Sequence, residues 1–265
     1  MTITAIDFGR LYRDHMAAAS RVQKSADTWD TRAAEMSNHL RESSYANEFI
    51  ASMNLSGATT LLDVGCGPGT ICLPLANQLA HVYGLDFSRA MLDALMTNAV
   101  ARGLTNVEAV HLAWENDWEN VPECDIVVAS RSSTVEDMTT ALTKLNAKAK
   151  LRVYLTHLVG GRFIDPQVVE VLGRSQHPLP DYIYVVNILY SMGIHPRLDY
   201  IEQEGRLAGA VDFDDFAGRV AWTLGNLNSD ELSRLRAWYE QAPPGIAAAV
   251  EPRRWALISW DVRHN

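Results

Sequence analysis

The sequence predicts an α/β fold, a mostly parallel sheet with helices on both faces. Three observations carry this. From residue 60 to residue 156, short apolar runs alternate with helix-compatible stretches. Repeated β-α-β of this kind lays strands side by side under a cover of helices. The first run, Thr60 to Val64, ends at three glycines spaced by two: Gly65, Gly67 and Gly69. The runs are nearly continuous in apolar residues, as strands buried on both faces are.

The elements follow in order. Phe8, Leu11, Tyr12, His15 and Ala19 fall at helical spacing within residues 5–20, with Asp7 as cap. Trp29, Ala33, Met36 and Leu40 then share one face of a helix starting near Asp30. A further helix, continuous with it or separate, covers Ser44 to Met53. Residues 1–55 thus form a helical cap ahead of the first strand, and 56–265 form the main domain. Strands are predicted at 60–64, 81–85, 106–111, 125–130 and 151–156. Helices between them cover about 70–79, 89–101 and 134–147. Ser88 caps the second of these and Gly103 ends it. Beyond Gly160-Gly161 the alternation loosens. A helical insertion spans about 161–180, where Asp165-Pro166 starts a short helix. Asp181 to Met192 reads as a buried helix, and 198–203 as a strand. A second insertion spans about 205–250. Phe213, Phe216, Val220 and Leu224 share one helical face there, and Leu232, Leu235 and Trp238-Tyr239 another. Asn228-Ser229 and Glu231 make the N-terminal cap of the latter. Trp255 to Val262 closes the chain as a strand.

Bulk properties narrow the function. The chain has 265 residues, 23 Lys and Arg against 32 Asp and Glu, and a net charge of −9. Nucleic-acid binding runs on clustered cations, so the expectation is no nucleic-acid partner. Cys66, Cys72 and Cys124 suit a reducing compartment, and their spacing is not that of a zinc site. No metal is expected. Neither a signal peptide nor an apolar stretch of membrane-spanning length is apparent, so a cytoplasmic location without membrane contact is expected.

A strand that runs into a glycine turn and a helix brings backbone N–H groups close to a ligand. The dinucleotide pattern GxGxxG is not what stands here, because position 70 is Thr. The turn reads Asp63-Val64-Gly65-Cys66-Gly67-Pro68-Gly69. An acid two residues before the first glycine suits a ligand whose near end is an amino acid. Asp63 offers a charge for its ammonium, or else caps the turn. Asp86, at the tip of the second strand, is placed to accept hydrogen bonds from ribose hydroxyls. Such bonds to a charged acceptor contribute roughly 1.5–3 kcal/mol each.

On these residues the chain resembles the class I S-adenosylmethionine-dependent methyltransferases. Leu61–Thr70 matches their first motif, Val82–Ser88 the second and Cys124–Ser132 the fourth. The resemblance implies a Rossmann-like sheet of seven strands, the last antiparallel. It implies S-adenosylmethionine as cofactor and S-adenosylhomocysteine as product. Its implied cofactor contacts are Asp63, Gly65, Cys66, Gly67, Gly69, Asp86, Phe87, Met91 and Ser130, with Ala113, Trp114 and Glu115 around the adenine.

This last group departs from the family, which places a Gly-Asp pair there with the Asp on the adenine amino group. Ala113 cannot accept that bond. Glu115, two positions on, is the alternative acceptor, and Trp114 offers an aromatic face or packs its loop. The fourth motif ends in Ser130-Arg131-Ser132, without the Asn/Asp-Pro-Pro-Tyr of amino-group methylases. Arg131 is read as holding a carboxylate of a small acceptor, or as a surface ion pair. Trp29 and Arg32 are read as acceptor contacts from the cap, or as core. His157, placed just past the fifth strand, is the candidate base, or else satisfies a local hydrogen bond. The 205–250 insertion either lines the acceptor pocket or forms a homodimer surface. The expected function is methyl transfer to a small molecule. The alternatives are methylation of RNA or protein, and a module that binds the cofactor without turnover.

Overall fold

The computed structural model describes residues 2–38, 43–241 and 252–262. Helices α1 (Phe8–Ala18), α2 (Ala26–Asp30), α3 (Ala33–Asn38) and α4 (Ser44–Ala51) precede the sheet. The Asp7 side chain accepts from the Arg10 amide and so caps α1. The single helix expected from Trp29 onward is broken. Thr31 and Arg32 form a turn between α2 and α3, and the Leu40 of that pattern lies outside the described residues.

Five parallel strands follow: β1 (Thr60–Val64), β2 (His81–Asp86), β3 (Val107–His111), β4 (Cys124–Ala129) and β5 (Ala149–Leu158). Between them lie α5 (Cys72–Leu75), α6 (Arg89–Ala101) and α7 (Met138–Lys148). The helix expected over 70–79 starts later, at Cys72, since Pro74 has no N–H to donate to residue 70, and a 3₁₀ turn, Ala76–Gln78, follows it. Ser88 caps α6 through the Met91 amide, as its sequence position predicts. Then come α8 (Pro166–Val171), α9 (Tyr182–Ser191), β6 (Arg197–Gln203), α10 (Phe213–Leu224), α11 (Ser229–Gln241) and β7 (Arg253–Asp261).

The seven strands form one sheet in the order β3-β2-β1-β4-β5-β7-β6. The closing strand β7 slots between β5 and β6, antiparallel to both. The strand order reverses between β1 and β4, and open α/β sheets bind ligands outside the strand ends at such a point.

Two buried layers cover the faces. Tyr12, Met138, Leu142, Val185 and Leu189 pack on one face, from α1, α7 and α9. Tyr45, Phe49, Leu73, Leu92 and Leu95 pack on the other, from α4, α5 and α6. A third cluster joins α8, α10 and α11 around Val168, Phe216, Val220 and Leu235. Asn228 and Glu231 exchange reciprocal bonds at the start of α11, the capping box read from the sequence. Helix α9 is less buried than its composition predicts. Ile183 is 50% and Tyr190 42% exposed, and Val185, Ile188 and Leu189 form its fully buried side.

Candidate active site

The chain emerging from β1 turns through Gly65 (φ 67°), Gly67 (φ 52°) and Gly69 (φ 95°). These values lie in the left-handed region, which costs other residues roughly 1–2 kcal/mol. The amides of Gly65 and Cys66 both donate to Leu85 O, at 2.7 and 3.1 Å. The Gly67 amide donates to Asp86 Oδ2 at 2.9 Å, and the Ser88 amide to Asp86 Oδ1 at 2.9 Å. Asp86 thus ties the turn after β1 to the start of α6. Burial pushes its carboxyl up while these amides pull it down.

A β-carbon at Gly65 would meet Ser132 Cβ at 2.4 Å. Glycine therefore lets the segment after β4 press on the turn, and Ser132 Oγ donates to Val64 O at 2.6 Å. At Gly67 the same atom would meet only Met91 Sδ, at 3.9 Å. The space over Gly67 is open, as a backbone cradle requires.

Beneath the turn, Asp63 is 1% exposed. Burial raises its carboxyl to about 7, opposed by hydrogen bonds from Cys72, side chain and amide. Its Oδ2 is buried with no hydrogen-bond partner among the described residues. A buried acid with one idle oxygen beside a glycine cradle fits an ammonium-bearing ligand.

Ser130 and Arg131 continue β4 at the same edge. The Tyr45 hydroxyl bonds Ser130 Oγ and Thr156 Oγ1, each at 2.8 Å. The Arg131 amide donates to Thr156 Oγ1 at 2.9 Å, and its guanidinium lies 4.3 Å from the centre of the Tyr45 ring. Helix α4 thereby closes over the ends of β4 and β5. The cap is also pinned at α6: Asp30 Oδ1 accepts from Ser88 Oγ and from the Ala90 amide. Asn98 Nδ2 bonds Pro68 O at 3.1 Å and Ser37 Oγ at 3.4 Å.

With this geometry in view, similarity to known proteins decides the family. The methyltransferase-domain family matches residues 61–150, the span from the glycine turn through β4 and α7. The chain carries a methyltransferase domain over residues 61–150, on a sheet of the class I S-adenosylmethionine-dependent methyltransferase fold. An uncharacterized protein of Haemophilus influenzae is 38% identical over 99% of both chains. A crystal structure of a putative methyltransferase from Bacillus halodurans superposes with a TM-score of 0.56 at 15% identity, covering 84% of this chain and all of that one. It shares the fold. An uncharacterized RNA methyltransferase of Listeria innocua is 30% identical over 57% of this chain, but over only 36% of its own length.

Several residues singled out from the sequence stand elsewhere in this methyltransferase. His157 lies inside β5 rather than past its end, paired in register with Ala256. It is 3% exposed. Its Nδ1 lies 2.9 Å from Ser133 Oγ and its Nε2 3.1 Å from Pro180 O. Successive residues of a strand face opposite ways, so Thr156 turns to Tyr45 while His157 turns to Tyr12. Burial holds its imidazole below the usual value. With Nδ1 beside Ser133 and Nε2 beside Pro180 O, the ring has the surroundings of the local hydrogen bond that the sequence offers as the alternative to a base.

Trp29 and Arg32 meet the insertion instead of the glycine turn. Trp29 stacks edge-on to Trp222 of α10 at 5.6 Å, and the Arg32 guanidinium lies 4.1 Å from the centre of that ring. Trp114 is partly spent: Nε1 donates to Ser132 O at 3.0 Å and its ring stacks on Trp118. The Ala113 amide donates to Asn116 Oδ1 and its carbonyl accepts from Trp118 Nε1, so this loop is internally tied. Glu115 is exposed. Phe87 is 38% exposed and Met91 buried, on either side of the α6 cap. Cys66 and Cys72 are buried, and burial raises both thiols well above their ordinary value. Among the described residues no group of His, Cys, Asp and Glu is arranged to hold a metal. No described helix is long and apolar enough to cross a membrane.

Proposed function

We propose that this protein transfers the methyl group of S-adenosylmethionine to a small-molecule acceptor. The idle, buried Oδ2 of Asp63 under the glycine turn carries the cofactor half of this reading. Asp63 takes the cofactor ammonium. Gly65, Cys66, Gly67 and Gly69 give it a backbone floor. The lone pairs that Asp86 has not given to Gly67 and Ser88 take ribose hydroxyls. Phe87 and Met91 flank the adenosine, with Ala113, Trp114 and Glu115 towards its base and Ser130 near the methionine end.

When bound, the cofactor supplies an electrophilic methyl on a sulfonium. The acceptor's lone pair forms the new bond to carbon, and the breaking bond leaves its electron pair on sulfur. The protein's part is positioning, which is worth several kcal/mol in such displacements. The pinned cap supports a small acceptor. Asp30 and Tyr45 fasten helices α2 and α4 beside the strand ends, and a helical cover of this kind suits a small acceptor.

Calorimetric titration with S-adenosylhomocysteine tests the cofactor half. Binding that is lost in Asp86→Ala and Gly67→Val supports it, and no binding to the natural chain refutes it. Supplying S-adenosylmethionine with a metabolite extract or with total RNA tests the acceptor. Product formation with RNA alone would favour the second reading, RNA methylation, which the partial match to an RNA methyltransferase keeps open.

A further inference from the structure

The chain carries nine more acids than Lys and Arg together, yet cations gather at one place. Arg131 follows β4 and Arg253 opens β7 at the carboxyl edge of β5, which pairs with both strands: Ala129 stands opposite Leu155 and Trp255 opposite Leu158. The Tyr45 ring under the Arg131 guanidinium meets Trp255, two residues from Arg253, with centroids 6.2 Å apart, and Arg253 feels the charge of Arg131. Arg206, just past β6, joins them, and burial with these two neighbours pulls the Arg253 guanidinium down to about 10. Lys24 extends the strip, feeling both Arg206 and Arg32.

Arg131 is held, not dangling. It has φ 57°, the one described non-glycine residue in the left-handed region. Its amide is fixed by Thr156 and its guanidinium rests on Tyr45. Strained backbone held by its surroundings marks functional positions. Arg253 opens β7 opposite Gln203. Its Nη2 donates to the Glu204 carbonyl at 3.4 Å, and its Nε is buried with no partner among the described residues. Neither arginine forms an ion pair with a described residue.

Two partly buried guanidinium groups without a counter-charge are costly unless a ligand supplies one. The cofactor has a single carboxylate, whose one negative charge balances only one of the two positive charges. We propose that Arg131 and Arg253 bind an anionic group of the methyl acceptor, a carboxylate or a phosphate. This rests on the methyltransferase reading and adds the substrate class to it. The planar five-donor fork of arginine suits either anion in two-point contact.

The test titrates the protein saturated with S-adenosylhomocysteine with benzoate, inorganic phosphate and neutral benzamide. The expected result is that benzoate or phosphate binds and benzamide does not; which anion binds identifies the acceptor's group. Arg131→Gln and Arg253→Gln each weaken that anion about tenfold, about 1.4 kcal/mol, while S-adenosylhomocysteine affinity stays within about twofold. Anion and amide binding alike, or neither binding, overturns the proposal on the natural chain alone, whatever the variants' folding. Loss of S-adenosylhomocysteine affinity in both variants with unchanged melting temperatures overturns it too, since the arginines then serve the cofactor's own carboxylate. Should S-adenosylhomocysteine itself not bind, the methyltransferase reading fails separately, and the same titrations on the free protein decide the anion site.

Discussion

Asp30, the last residue of α2, caps a helix that is not its own. Its Oδ1 accepts from the Ser88 hydroxyl and, at 3.2 Å, from the Ala90 amide at the start of α6. Ser88 Oγ accepts from the Met91 amide in turn. The orphan amides of the α6 terminus are thus met by side chains from two segments, and a carboxylate there complements the helix dipole. The N-terminal cap is thereby fastened beside Asp86. Asp30→Ala is expected to lower stability by about 1 kcal/mol, the usual worth of such a cap. It is also expected to weaken S-adenosylhomocysteine binding several-fold, by loosening the helix start that orients Asp86. Thermal melts and calorimetry measure both; unchanged values in each would show that the fastening does not matter.

Gly67 separates stability from binding. Its β-carbon would meet no atom nearer than 3.9 Å, so Gly67→Ala is strained only by φ 52°. That strain is about 1–2 kcal/mol. The added methyl enters the space over the turn, so cofactor affinity should fall by more than about tenfold, beyond what the strain predicts. Asp86→Ala instead leaves the Gly67 and Ser88 amides without their acceptor. Both melting temperature and affinity should then drop, each charge-assisted bond being worth about 1.5–3 kcal/mol. If Gly67→Ala keeps natural affinity, the cofactor does not lie on this turn.

Much of this was legible in the sequence. The strand–turn–helix at 60–75 announces itself because glycine spacing and apolar runs are local signals. Ser88 and Asn228 read as caps for the same reason. Asp30 was not legible as a cap of α6, because its partners lie 58 and 60 residues away and its neighbours suggest only an amphipathic helix. His157 was misplaced because the pairing of β5 with β7 extends the strand to Leu158, and that pairing is set by the far end of the chain. One residue of extra strand turns a side chain to the other face. Arg253 carries no local signal at all. Its interest comes from standing near Arg131, which only the closing strand's position between β5 and β6 brings about.

His157 gives a prediction about what is not catalytic. Its Nε2 faces a carbonyl and therefore carries the hydrogen, while Nδ1 lies 2.9 Å from the Ser133 hydroxyl, which donates to Thr156 O at 2.7 Å. Burial lowers its pKa below 6.5. The unfolded chain then takes up this proton more readily, so stability is present above the ordinary value and lost as pH falls through it. His157→Gln should flatten that acid limb and cost about 1–3 kcal/mol of stability. It should leave the pH profile of methyl transfer in place. A displaced kinetic profile with unchanged melting would restore the histidine as a base.

Asp63 makes the sharpest use of pH. Its carboxyl is raised to about 7 by burial, against an ordinary value of 3.8. Between these values the folded state holds a proton that the unfolded chain has lost. The slope of stability with pH is therefore negative there: this acid makes the free protein less stable as pH rises through that window. A cofactor ammonium beside Oδ2 favours the charged form, so binding expels the proton. Affinity for S-adenosylhomocysteine should rise between about pH 5.5 and about pH 7, with net proton release seen as a dependence of calorimetric heat on buffer. Asp63→Asn removes the titrating group. It should stabilise the free protein near neutral pH, weaken binding, and leave affinity flat across that window. Proton release that persists in Asp63→Asn would place the titrating group elsewhere and detach Asp63 from the ammonium.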